Sequence, residues 1–311
     1  MKGLEASELY YKEYGEPMLK HEFGDIYGSL ACGICGSGSE CFGYDDEISR
    51  DHDFEPGFCI FLPGEDIIDR RAEFLIERAY EKLPDEFCGI TRSKTAPVGG
   101  KRRGVIRIAD FFTQKTGSPD GELTAEQWLS VPEYSLAEAV NGKVFYDGYG
   151  LFTSIREKIK EYPRDVTLKK LAGAVLLAAQ SGQYNYGRCI AHGEYGASQL
   201  TCFEFAQNVM KCCFLISGRY MPFYKWSFRA LRGLEGFDGI DVKLEQIISS
   251  DNSEPHKKRR LIEDICVMLA QKMRERGLTQ NETPLLEETA YGINNMIRDE
   301  KIRNMHILAG V

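Results

Sequence analysis

The stretch from Gly36 to Gly57, GSGSECFGYDDEISRDHDFEPG, sets two glycine-serine pairs ahead of a run of acids. Asp51 and Asp53 are spaced i, i+2, so on an extended segment both carboxylates point to the same side. Two carboxylates held side by side repel unless a cation lies between them, and oxygen-only ligation of that kind suits Mg²⁺ or Mn²⁺. Upstream, Gly36, Ser37, Gly38 and Ser39 can expose successive backbone N–H groups and hydroxyls, a concavity that accepts phosphate oxygens, and glycine tolerates the positive φ that such a turn needs. A D-x-D on a surface turn is common. The glycine-serine turn, the eleven-residue gap from Ser39 to Asp51 and the apolar run that follows together point to a metal-phosphate site.

Those residues need elements to hold them. Ala6 to Leu30 carries apolar or aromatic residues at helical spacing, broken by Gly15, Pro17 and Gly24, and leads into the glycine-rich turn. Phe58 to Leu62, bounded by Gly57 and Pro63, has the pattern of a buried strand. Asp66 to Leu83 reads as an amphipathic helix with an acidic start, and Gly104 to Ala109 as a second strand after the basic turn VGGKRRG. Helix, turn, strand, helix, strand is an α/β unit.

After Leu123 the pattern changes. A helix capped by Thr124, a short hairpin or turn at GKVFYDGYG and a helix stopped by Pro163 precede long periodic segments at 166–180, 196–217, 225–233, 255–277 and 284–305. Gly182 to Gly196 and Gly233 to Gly239 read as breaks between them, and SSDNSEPHKKRR as a solvated polar linker with a cationic end. The expected fold class is therefore α+β: an α/β domain with a small mixed sheet over residues 1–122 and a helical bundle domain over 123–311.

With 311 residues, 43% hydrophobic and 28% charged, the chain is long enough for two packed domains and has the composition of a globular protein. A formal charge of −8 disfavours coating a long nucleic acid by phosphate neutralisation, unless basic patches at Lys101 to Arg103 and Lys257 to Arg260 converge. The longest apolar run, LAGAVLLAA, is too short to span a membrane, and the N-terminus has no apolar core of a signal peptide, so a cytoplasmic location without membrane attachment is expected. Of ten cysteines, Cys32, Cys35, Cys41 and Cys59 allow a zinc reading, but their spacing is irregular and reduced core thiols are the simpler expectation.

The order helix, Gly-Ser, D-x-D, strand resembles the nucleotidyltransferase fold of the DNA polymerase β superfamily, with Gly38-Ser39 and Asp51/Asp53 at the motif positions. More narrowly, GSGSECFGYDDEISRDHD, DFF, LTAEQWLSVPEYSLAEAVNGKVFYD, YPRDV and RYMPFYKW are similar to a bacterial family known only as domain of unknown function 4037. The resemblance implies a nucleotidyltransferase domain followed by a helical domain, an NTP as donor, Mg²⁺ (or Mn²⁺) as the activating ion, and no particular acceptor. It implies Asp51 and Asp53 as catalytic metal ligands and Gly38 and Ser39 as nucleotide-binding.

A third carboxylate is usual in that superfamily, and Asp110, closing the strand GVIRIAD, is the candidate for it, with a helix-capping role as the alternative. Pro56 before the apolar strand is a second departure from the pattern. In RYMPFYKWSFRAL, Lys225 and Arg219 among aromatic residues are the expected triphosphate contacts of the helical domain. Asp147 could bind a ligand or cap a helix; Arg188 and His192 resemble, one residue too short, an Arg/His ribonuclease motif; and His52 would point away from its aspartate neighbours.

The expected function is transfer of a nucleoside monophosphate from NTP to a small molecule, a protein side chain or an RNA end, the last less favoured. The rival is a nucleotide-binding regulator or antitoxin-like module that keeps the fold without turnover.

Overall fold

The computed structural model describes residues 1–48, 55–91 and 102–311. The chain divides into two compact units, Met1–Leu123 with Ser135–Lys160, and Thr124–Tyr134 with Glu161–Val311. A single boundary at 122/123 therefore does not describe it, because the chain returns to the first unit to supply a strand.

That unit is built on a mixed sheet. Its strands are β1 (Ala31–Ile34), β2 (Cys59–Leu62), β5 (Gly104–Arg107) and β6 (Lys143–Asp147), in the order β5-β2-β1-β6, while β3 (Glu86–Phe87) and β4 (Ile90–Thr91) form a separate small hairpin. β1 is antiparallel to both β2 and β6, and β2 runs parallel to β5. A parallel pair needs a crossover, and the helix Arg70–Tyr80 lies between the two in sequence. Asp69 caps this helix, accepting from the Ala72 N–H at 2.8 Å, and its buried stripe of Ile76, Ala79 and Tyr80 follows helical spacing.

Side chains alternate across β2, so the sheet is covered on both faces. Ile60 and Leu62 join a core with Tyr10, Tyr11, Leu19, Leu30 and Ile76. Phe61 points the other way, stacking on Phe152 at 4.1 Å and meeting Phe111 edge-on at 5.3 Å. The Tyr80 hydroxyl fixes the start of β2, accepting from the Phe58 N–H at 3.1 Å and donating to the Phe58 carbonyl at 2.8 Å.

The second unit is helical. Its longest members are Tyr195–Ile216, Pro255–Glu275 and Arg164–Ala178, the last continuing as a π-helix over Ala179–Tyr186. The expected break at Gly182 is thus helical. A Cβ there would lie 2.4 Å from the Phe205 ring and 2.9 Å from Ile262, so the glycine permits close helix packing and is not punctuation. Among the described residues no helix is long and apolar enough to cross a membrane.

Candidate functional site

The strand register brings one end of the sheet together. Gly33 pairs with Cys59, Cys59 with Gly104 and Ile34 with Lys143, so β1 ends where β2, β5 and β6 begin. The turn Gly36–Ser39 follows β1 at this end, with Arg102 and Arg103 leading into β5 and Asn141 and Gly142 into β6.

The turn is fastened from several directions. The Gly36 N–H donates to Asn141 Oδ1 and Asn141 Nδ2 donates to the Gly36 carbonyl, both at 2.8 Å, so one amide side chain imitates a strand partner. Arg156 donates to the carbonyls of Val140 and, at 2.7 Å, Asn141, holding the end of the helix Glu133–Val140 that presents Glu138. Glu138 Oε2 accepts from Ser37 Oγ at 2.9 Å and from Lys115 Nζ at 2.5 Å, and Lys115 also donates to Ser37 Oγ at 3.2 Å. Lys115 comes from the last turn of the helix Ile108–Thr116, which starts directly after β5.

Gly36 and Gly38 have φ of +107° and +144°, as the proposed cradle requires. Gly38 is further constrained, since a Cβ on it would lie 2.6 Å from a Glu40 carboxylate oxygen. Glu40 is paired with Arg103 at 3.2 Å, with side chains only 5% and 8% exposed. Two largely buried ion pairs therefore flank the turn, each neutral in itself. No described residue accepts from the backbone N–H groups of Gly38, which is buried, and Ser39, which is partly exposed.

Asp51 and Asp53, with His52, lie outside the described residues. Asp110 is not on a strand: β5 stops at Arg107, and Asp110 is exposed in the first turn of the following helix. It does not cap that helix, whose N-cap is Arg107. Lys115 reaches the turn, whereas Asp110, five residues earlier, sits about 7.5 Å back along the helix axis. Arg107 is occupied elsewhere, donating to Glu73 at 2.6 and 3.1 Å and to the carbonyls of Pro63 and Ile68.

Arg219 and Lys225 belong to the second unit, Gly38 and Ser39 to the first. Both are exposed; Lys225 Nζ lies 4.3 Å from the Trp226 ring centroid. Asp147 accepts from the N–H groups of Gly150 and Thr153 at 2.9 and 2.8 Å, which is the helix-capping role. Arg188 and His192 are exposed on and just after the short helix Gly187–Ala191, with Arg188 over the Tyr184 ring.

Cys32, Cys35, Cys41 and Cys59 are buried free thiols. Burial pushes their pKa values up, that of Cys35 to about 11 and that of Cys59 to about 12, the setting of inert core thiols. Among the described residues no three His, Cys, Asp or Glu side chains group as a metal site. The basic clusters are also less available than their sequence suggests. Lys101 lies outside the described residues, Arg103 is buried against Glu40, and Lys258 is buried and donates to Gln199 Oε1, Ser250 O and Asn252 Oδ1 at 2.9–3.1 Å. Gln199, Ser250 and Asn252 line an open hollow of about 780 Å³ in the second unit, but the lysine beside it has spent its three donors on the fold.

The second unit also buries charge that is not paired. The Glu133 carboxylate accepts from the Met221 N–H, while its Oε2 has no partner. Burial raises its pKa, against the opposing pull of Lys170 and Lys211. Lys170 donates to the carbonyls of Leu129 and Gly310 at 3.3 and 2.7 Å, and burial pushes its pKa down.

Residues 128–227 match the model of a family described as a domain of unknown function (DUF4037), and the chain is similar to that family over this segment. The match takes in Glu138, Asn141, Arg219 and Lys225; the Gly-Ser turn, the aspartate pair and Asp110 precede it. No curated protein and no solved structure matches the chain.

Proposed function

We propose that the chain is a Mg²⁺-dependent nucleotidyltransferase, moving a nucleoside monophosphate from an NTP to a hydroxyl or phosphate of an acceptor. The observation that carries this reading is the end of the mixed sheet. There β1 runs into a turn with two positive-φ glycines and N–H groups from which no described residue accepts, and the D-x-D pair precedes in sequence the antiparallel strand that begins at the same end.

Gly38 and Ser39 are the proposed seat of the triphosphate, and Lys225 and Arg219 are nucleotide-binding candidates carried by the second unit. The acceptor oxygen attacks the α-phosphorus, the bond to the bridging oxygen breaks, and pyrophosphate leaves. Orientation of the donor by these groups supplies much of the rate. For the metal, the donor set is Asp51 and Asp53, whose hard oxygens suit Mg²⁺ or Mn²⁺; when bound, the ion neutralises charge on the phosphates. The formal charge of −8 favours a small molecule or a protein side chain over a long RNA as acceptor.

The test is pyrophosphate release from ATP, GTP, CTP and UTP with Mg²⁺ and pooled acceptors, with Asp51→Ala/Asp53→Ala as control. Release by the wild type alone is expected. A second reading, a nucleotide-binding module without turnover, is favoured by the exposed position of Asp110, which leaves the turn without a third carboxylate from β5. It predicts NTP binding with no pyrophosphate from any pool.

A further inference from the structure

Lys115 stands against the Gly-Ser turn with bonding capacity left over. An ammonium carries three N–H donors. Two are used, on Ser37 Oγ and Glu138 Oε2, and no other described residue accepts from it. A Cβ built on Gly36 would lie 4.0 Å from Lys115 Cε, so the stem of the lysine also runs beside Gly36. Its side chain is 13% exposed and that of Glu138 12%, so both charges are largely out of water but not sealed from it.

From this geometry we infer that Lys115 is a triphosphate-binding residue of the site and that Glu138 holds it in reserve, an inference that rests on the nucleotidyltransferase reading. A largely buried lysine without a partner is costly. Glu138 offsets that cost while the turn is empty. An anionic oxygen seated on the N–H groups of Gly38 and Ser39 offers the ammonium a third partner, and an anionic alternative to Glu138. Ser37, whose hydroxyl now donates to Glu138, can turn its proton toward the same oxygen. Glu138 is then a competitor as well as a support, and it sets the affinity below what Lys115 alone would give.

That competition separates the proposal from an ordinary structural ion pair. If the pair only braces the turn, removing either member loosens it and weakens binding. If Lys115 is held in reserve, removing Glu138 frees the ammonium and binding tightens.

The test is equilibrium titration of the full chain with Mg·ATP, and separately with inorganic triphosphate, alongside thermal melts. Wild type is expected to bind both probes, and Glu138→Gln to bind them about threefold tighter or more. Lys115→Met/Glu138→Gln removes both charges, avoiding a buried unpaired carboxylate, and is expected to bind about tenfold or more weakly than Glu138→Gln, the scale of one charged hydrogen bond. Glu138→Gln keeps Lys115 and decides the question even if the double variant melts early: weaker binding than wild type overturns the inference. Equal binding by Glu138→Gln and a folded double variant also overturns it, while leaving the nucleotidyltransferase reading in place. No binding of either probe to wild type overturns both.

Discussion

The two units treat buried charge differently. In the first, Arg103 meets Glu40, Lys115 meets Glu138 and Arg107 meets Glu73, each at hydrogen-bonding distance. In the second, Lys169, Lys170 and Lys258 are buried without a described carboxylate partner and donate to carbonyl and amide oxygens. One Glu133 oxygen is buried without a described hydrogen-bond partner, as Asp45 Oδ1 is in the first unit. Pairing balances the charge within each of these couples, and two of them fix the shape of the Gly-Ser turn. The unpaired lysines act as struts: Lys169 binds the carbonyls of Arg303 and Met305, and Lys170 that of Gly310, tying the C-terminal segment to the helix Arg164–Ala178.

The largest effect should come from splitting a pair. Arg103→Met strands the Glu40 carboxylate against Gly38 and should cost about 3–5 kcal/mol in urea unfolding, with Arg103→Met/Glu40→Gln recovering much of it. A harmless single variant would erase the distinction between the units. Next, Lys169→Met removes three hydrogen bonds and leaves two carbonyls and an amide oxygen to find other partners, for a loss of about 1–3 kcal/mol. Limited proteolysis should then cut first near Glu300–Asn304.

Glu133→Gln gives a smaller change of opposite sign. Burial raises the pKa of Glu133 in the fold, so its favourable contribution is complete below its ordinary value of 4.5 and is lost as pH rises through the raised folded value. Glutamine mimics the protonated form. The variant should therefore melt higher than wild type at pH 8, with the gap closing as pH falls below 4.5; a gap independent of pH would contradict it. Smallest for stability is Lys225→Ala, an exposed site where a change within about 0.5 kcal/mol is expected. Mg·ATP binding by that variant is expected to be weaker than that of wild type, and unchanged binding would remove Lys225 from the nucleotide-binding residues.

How much of this could be read from residues alone depended on whether the signal was local. β2, β5 and the helix Arg70–Tyr80 follow from an apolar run, a basic turn and a 3.6-residue stripe. β1 did not, because Ala31–Ile34 is buried throughout and contains Cys32 and Gly33, leaving no alternation to detect. β6 reads as a short hairpin or turn because glycines flank it, which hides the return of the chain to the first unit. Lys258 lies in a run that looked solvated, yet its acceptors come from the turn before it and from Gln199.

In the site, the Gly-Ser turn was legible from its own glycines. Its supports were not: Lys115, Glu138 and Asn141 lie 78, 101 and 105 residues from the turn residues they bind, so only the fold reveals them. Asp110 was assigned to a strand that the structure ends three residues earlier, where the chain turns into a helix.

The central claim is that the end of the sheet around Gly36–Ser39 seats a nucleotide triphosphate. Hydrogen–deuterium exchange on the full chain, with and without Mg·ATP, tests it most directly. The account predicts slower exchange in peptides covering Gly36–Phe42 and in the last turn of the helix Ile108–Thr116. No change there, or protection confined to the hollow around Gln199 and Asn252, would contradict it.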